Sequence, residues 1–238
     1  MIRAIATFSL LAGTLLAAPV IASDGGLPPV TGLNDIGTGL VFVAIAGAIL
    51  LTLLLRPTMT SLYRMLTERI GRRRISQILR ARTENVLDDF ILPGAYGGLT
   101  RIDHAMLTAG GVICIQTKHY NGVVFGDADE PQWTHVDGVQ RRKFLNPRIQ
   151  NEGRANALRK AVPDLPVASL VVFTGSVEFT SAREPNVIHL RELETFIQRF
   201  EFGPSPISDW DGIWLTLKSA ALTDEASRKD FDAQLSFG

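Results

Sequence analysis

Asp103, Gln116 and Lys118 fall within one stretch, RIDHAMLTAGGVICIQTK from Arg101 to Lys118, whose pattern is that of a β-hairpin. Two apolar-rich runs flank Gly110-Gly111, and a glycine pair permits the positive φ of a two-residue hairpin turn. With those glycines as the loop, Ala109 faces Val112 and the pairing runs outward to Asp103 opposite Lys118. Side chains alternate with a period of two and paired residues share a face. One face then carries Asp103, Ala105, Leu107, Cys114, Gln116 and Lys118, and the other Ile102, His104, Met106, Ile113 and Ile115. An acid, an amide and an amine thus gather at the open end of a strand pair otherwise patterned for burial. A carboxylate on one strand with a ligand–x–lysine pair on the next suits metal-assisted phosphodiester cleavage. The acid holds a hard divalent cation, such as magnesium, through oxygen. The metal neutralises charge developing on the phosphate and acidifies a water, which the lysine orients or deprotonates. A structural ion pair between Asp103 and Lys118 is the plainer alternative.

The remaining composition narrows the chemistry. A single cysteine, Cys114, excludes an internal disulfide and a Cys-rich zinc site, and four scattered histidines argue against a His-based transition-metal site. Lysine plus arginine balances aspartate plus glutamate at 24 each, so any electrostatic partner must be read from local charge rather than from the total. His104 faces away from Asp103 and reads as a packed histidine; Cys114 reads as a small core residue.

The elements that must position these residues follow in order. Residues 1–22 have a positive start at Arg3, an apolar core and a small-residue cleavage pattern, which is a secretory signal or else an uncleaved first transmembrane helix. Residues 23–35 form a polar linker outside the membrane, and 36–55 are an uncharged run of transmembrane length. The basic segment 56–74 follows, so the positive-inside rule makes the chain single-pass with its C-terminal bulk cytoplasmic, in the inner membrane if the source is bacterial. Pro57 is expected to end the membrane helix. Thr58 to Phe90 reads as helical, with Leu62, Leu66, Ile75, Leu79, Val86 and Phe90 as its stripe and an interruption at Gly71. Asn121-Gly122 is a second hairpin turn, Val123 to Phe125 a strand, and Trp133 to Val136 an edge strand. Asn146-Pro147 begins a helix that runs to about Ala161. Val167 to Thr174 is a buried strand. Asn186 to Leu190 is a short strand, Arg191 to Phe200 a helix, Ile213 to Leu222 ambiguous, and Asp224 to Leu235 a surface helix. The class is mixed α/β, with the main domain over 75–202 and a C-terminal extension over 203–238.

Residues Thr83 to about Ala161 resemble the NERD (nuclease-related) domain, a branch of the PD-(D/E)xK nuclease superfamily. The resemblance rests on RIDHAMLTAGGVICIQTKHYNGVVFG, then Trp133, then NPRIQ at Asn146 to Gln150. It implies a restriction-endonuclease-like αβββαβ core with a mixed sheet. It also implies Asp103, residue 116 and Glu84 as metal ligands, Lys118 as the catalytic lysine, Gln150 as a supporting residue, and Mg2+ or Mn2+ as cofactor. Two positions depart from the family pattern: Thr83 replaces a glycine, and Gln116 replaces the glutamate of ExK, which keeps a carbonyl oxygen and loses a charge. Gln150 shares a helix face with Ile149, Gly153, Ala157 and Ala161, so it points inward and needs a partner.

Two basic runs suggest partners. Arg72 to Arg74 are assigned to anionic lipid and topology. Arg141, Arg142 and Lys143, with Arg148, are assigned to a phosphate backbone, DNA ahead of RNA. Two functional readings follow: a membrane-anchored, metal-dependent nuclease, or a catalytically silent module that binds nucleic acid or protein at the membrane.

Overall fold

The computed structural model describes residues 32–180, 183–202, 205 and 207–236. The expected signal sequence 1–22 lies outside them, as does most of the linker 23–35. The first helix, α1, spans Gly32–Arg80. Side chains are described from residue 40 to 52, and these are exposed throughout, Leu40, Phe42 and Leu50 among them. Among the described residues no helix is long and apolar enough to cross a membrane. The described side chains of the expected span 36–55 cover 13 residues, against about 20 for a crossing.

From Leu55 onward the chain forms one compact unit. α1 does not stop at Pro57. A proline costs one backbone hydrogen bond, which does not end a helix whose later turns are anchored by Ile75 and Leu79, both fully buried. Nor is α1 interrupted at Gly71. A Cβ there would collide with Thr174 at the end of a core strand, so glycine is what lets helix and sheet approach.

The expected helix over residues 58–90 ends ten residues early. Val86–Pro93 is strand β1, antiparallel to β2 at Leu99–Thr108. Val86 and Phe90 are four apart and fit a helical stripe. They are also two strand steps apart and pair with Met106 and Ile102. Cross-strand pairing, which no local pattern reveals, decides for the strand. β2 turns into β3, Gly111–Lys118. The loop is Ala109-Gly110, not Gly110-Gly111, because Thr108 pairs with Gly111. Gly111 sits at φ +121°, and a Cβ there would strike the Pro166 carbonyl. The register moves by two residues, so Ala105 opposes Cys114 instead of Gln116, and a shift of two keeps these residues on their expected face.

A second sheet follows, built on β4 (Gly122–Phe125), β5 (Gln132–Asp137) and β6 (Gln140–Leu145). Helix α2, Pro147–Ala161, starts as expected, with Asn146 Oδ1 accepting from the Arg148 amide at 2.9 Å. β7, Val167–Phe173, then runs parallel to β3. Among the described residues the first sheet has the order β1-β2-β3-β7-β9 and the second β6-β5-β4-β8, where β8 is Val177–Phe179 and β9 Val187–His189. Helices α3 (Leu193–Glu201), α4 (Trp210–Ala220) and α5 (Glu225–Ser236) complete the chain.

The first sheet is covered on both sides, as a mixed α/β layer fold requires. Leu107, Val112 and Cys114 pack with Ala155 and Leu158 of α2, while Met106, Ile113 and Ile115 pack with Ile75 and Leu79 of α1 and Ile197 of α3. The β1–β2 ribbon reverses its faces at Asp89, which has φ +53°. Val86 and Met106 belong to the α1 side, yet Phe90 and Ile102, in the same phase, belong to the α2 side. A left-handed non-glycine residue costs about 1–2 kcal/mol. Here Arg101 and Arg228 both bond the Asp89 carboxylate, and Arg228 also bonds its carbonyl. This reversal leaves Asp103, beside it on β2, at the sheet end between α1 and β3.

Candidate active site

Asp103 lies one residue beyond the paired part of the β2–β3 hairpin. Its Oδ2 accepts from the Thr117 amide at 2.9 Å, so a carboxylate substitutes for the ladder where the strands part. Its Oδ1 is 3.6 Å from the Arg72 guanidinium of α1. Two residues apart on β3, Gln116 and Lys118 point the same way and converge on Gln150 of α2. Gln150 Oε1 accepts from Lys118 Nζ at 3.2 Å and from Gln116 Nε2 at 3.4 Å. The inward-facing glutamine therefore has its partners, and they are the amide and the amine of the hairpin.

Asp103, Gln116, Thr117 and Lys118 line a cavity of about 180 Å³ together with Glu68 and Arg72 of α1, Arg154 of α2, and His119 and Tyr120 beyond β3. Three cations face two carboxylates there. Burial, with Arg154 nearby, holds the Lys118 amine below its ordinary value, although Asp103 and Glu68 act the other way. Burial likewise lowers His119, which shares a hydrogen bond with Thr174 Oγ1 at 3.1 Å.

Four buried side-chain polar atoms lack a partner among the described residues, and three of them, Gln116 Oε1, Thr117 Oγ1 and Arg154 Nη1, belong to residues lining this one cavity. An orphaned buried polar group costs about 1–3 kcal/mol. An unpartnered acceptor on Gln116 and an unpartnered cationic donor on Arg154, two residues of one cavity, suit a ligand that brings both a positive and a negative centre. The fourth orphan, His104 Nε2, lies elsewhere: its Nδ1 bonds Asp88 at 2.6 Å, and the ring is buried as expected for a packed histidine. Cys114 is buried too, its thiol pushed up to about 12 chiefly by desolvation.

The structure does not bring Glu84 to the cavity. It is exposed on the turn between α1 and β1, because the helix that would have carried it inward ends at Arg80. The helix acid present is Glu68. Its signal was available: Glu68, Arg72, Ile75 and Leu79 follow a four–three–four spacing, one helix face. Both Glu68 and Arg72 lie in the segment read from sequence as juxtamembrane. Among the basic residues, Arg142 and Lys143 line an adjoining groove, Arg141 is exposed on the opposite face of β6 from Arg142, and Arg148 lines a separate cavity with Tyr96 and Glu152. Arg154 is the α2 cation that reaches the site.

Whether the site suits a metal turns on its donors. Among the described residues no three His, Cys, Asp or Glu side chains are grouped to hold one. Two carboxylates and the orphaned Gln116 oxygen supply an all-oxygen set, which fits a hard ion such as magnesium and not a soft one.

Over 169 residues the chain is 25% identical to an uncharacterized protein of Bacillus anthracis, covering 68% of this chain and 78% of that one. No solved structure matches. Residues 67–174 match the family model described as the nuclease-related domain, a span that begins one residue before Glu68 and ends at Thr174. Membership of the PD-(D/E)xK superfamily is consistent with that match, and the chain carries a NERD nuclease-related domain.

Proposed function

We propose that the domain is a metal-dependent phosphodiesterase acting on DNA or RNA. The observation that carries this reading is that Gln116 and Arg154, which line one cavity with Asp103, Glu68 and Lys118, each hold a buried polar atom with no partner among the described residues, an amide oxygen in one and a guanidinium nitrogen in the other. Asp103, Gln116 Oε1 and Glu68 would hold Mg2+ or Mn2+, which when bound neutralises phosphate charge and acidifies a water. Arg154 Nη1 and Arg72 bind the phosphate; guanidinium suits its planar, bidentate recognition. Lys118, held by Gln150 and kept toward its neutral form by burial, orients the attacking water and accepts its proton.

The proposal extends to location. The run 36–55 is uncharged and the described part of its helix is apolar and exposed, which supports a single-pass anchor with the catalytic domain on the cytoplasmic face. A reporter fused after Gly238 and found on the periplasmic side would overturn that topology.

The chemistry is tested on the full-length chain in detergent, with labelled single- and double-stranded DNA and RNA and either metal. Lys118→Ala and Asp103→Ala should each reduce cleavage by about 100-fold or more, Glu68→Ala should do likewise, and Glu84→Ala should change nothing. Cleavage that survives both Lys118→Ala and Asp103→Ala would refute the site. Absent cleavage in the wild type that appears with Gln116→Glu would replace the nuclease reading with a silent binding module.

A further inference from the structure

A second cavity, of about 480 Å³, adjoins the candidate active site, and His119 and Tyr120 line both. Its volume falls within the range of small-ligand pockets, about 300–1,000 Å³. Its wall is aromatic. The Tyr120 ring lies 4.5 Å from that of His135 and 4.8 Å from that of Phe144, and Tyr63 of α1 lines the same space with 65% of its surface exposed. Cross-strand pairing of His135 with Arg142 puts that guanidinium on the same face as the rings, and Lys143 stands at the edge. One stretch of α1 serves both cavities, since Tyr63 and Thr67 line this one while Glu68 and Arg72 line the other.

From this arrangement we infer that the groove is a nucleobase subsite, holding the unpaired nucleotide next to the scissile phosphate. The inference rests on the nuclease reading for the identity of the neighbouring cavity. Rings around a pocket with cations at its edge are how single strands are held: bases stack on π faces while lysine and arginine follow the backbone. A base inside an intact duplex is already stacked on its neighbours and cannot enter. The substrate class is therefore single-stranded or locally unpaired nucleic acid, and the Arg142–Lys143 run, read from sequence as a generic phosphate contact, becomes one side of a base-holding groove.

The test measures binding, not cleavage. The full-length chain in detergent and chelator is titrated into labelled single-stranded DNA, single-stranded RNA and a blunt duplex of the same sequence. Single strands should bind at least tenfold more tightly than the duplex, and either sugar can serve. Tyr63→Ala should weaken single-strand binding about tenfold, and Tyr63→Phe, which keeps the ring, should bind like the wild type. On an abasic strand Tyr63→Ala should have no further effect. Equal binding of duplex and single strand by the wild type, or single-strand binding indifferent to Tyr63→Ala, would overturn the subsite; the exposed position of Tyr63 makes misfolding a poor explanation for either. Lys118→Ala separates the two readings, because it should abolish cleavage and leave the Tyr63 dependence intact. A wild type that never cleaves but shows the Tyr63 dependence would sink the nuclease reading and leave the subsite standing.

Discussion

Gln116→Glu probes the site most directly, because it restores a charge at the centre of the oxygen cluster and has a readout that needs no turnover. Gln116 is 2% exposed, and its Nε2 donates to Gln150 Oε1. A glutamate there loses that donor and sets two acceptor oxygens against each other, with Asp103 lining the same cavity. A lost buried hydrogen bond that leaves its partner unsatisfied costs about 1–3 kcal/mol. Unfolding temperatures of domains of this size move by about 2–4 °C per kcal/mol. Without metal, the variant should therefore melt roughly 2–12 °C below the wild type. Magnesium should reverse the order of gains: a full carboxylate in place of a carbonyl should tighten the ion by at least about tenfold, or 1.4 kcal/mol, and that difference appears as extra stabilisation once the ion is in excess. Thermal unfolding in chelator and then in millimolar magnesium measures both. A variant as stable as the wild type in chelator would mean that position 116 does not sense its neighbours. Equal magnesium shifts for the two proteins would remove Gln116 from the metal site.

Charge at Lys118 and Asp88 sets three further outcomes. Burial keeps Lys118 below the ordinary 10.5, so the neutral base gains population as pH rises, and the rising limb of kcat/KM should centre below that value; Lys118→Arg should abolish it. The same depression means the unfolded chain binds more protons between the folded value and 10.5, so stability should rise with pH across that window, and denaturant melts of Lys118→Met should lack the rise. Asp88 behaves oppositely. Burial opposes its ionisation, but hydrogen bonds from His104, Ser76 and Arg80 prevail and hold the carboxyl well below the usual range. Its contribution is full above the ordinary 3.8 and is lost as pH falls from there toward the folded value. Asp88→Asn should cost about 2 kcal/mol near neutral pH, and urea melts should show that gap narrowing in acid; a constant gap would contradict the assignment.

Much of the site was legible because its signals are local. The period of two along β3 put Gln116 and Lys118 on one face with Cys114, and the turn's one-residue displacement left that phase intact; Asp103, beside the reversal at Asp89, falls out of the expected phase and reaches the same cavity from the end of the sheet. Asn146-Pro147 announced α2, and the helix phase turned Gln150 toward the hairpin. β1 was not legible. Val86 and Phe90 satisfy a helical spacing as well as a strand one, and what decided between them was their partners in the next strand, Met106 and Ile102, which lie far along the chain.

That one misreading carried the acid with it. Extending the helix past Arg80 put Glu84 on it and left Glu68 among residues read as juxtamembrane. The sequence by itself determined the chemistry on offer: a carboxylate, an amide and a lysine at fixed strand intervals, with a glutamine on the next helix. Only the tertiary structure decided which helix acid and which arginines complete it. Glu68, Arg72 and Arg154 come from two helices on opposite faces of one sheet, and they meet because Gly71 lets α1 close on the end of β7 and because the chain reverses its faces at Asp89. Contacts of that kind depend on packing between distant segments, and no spacing along the chain encodes them.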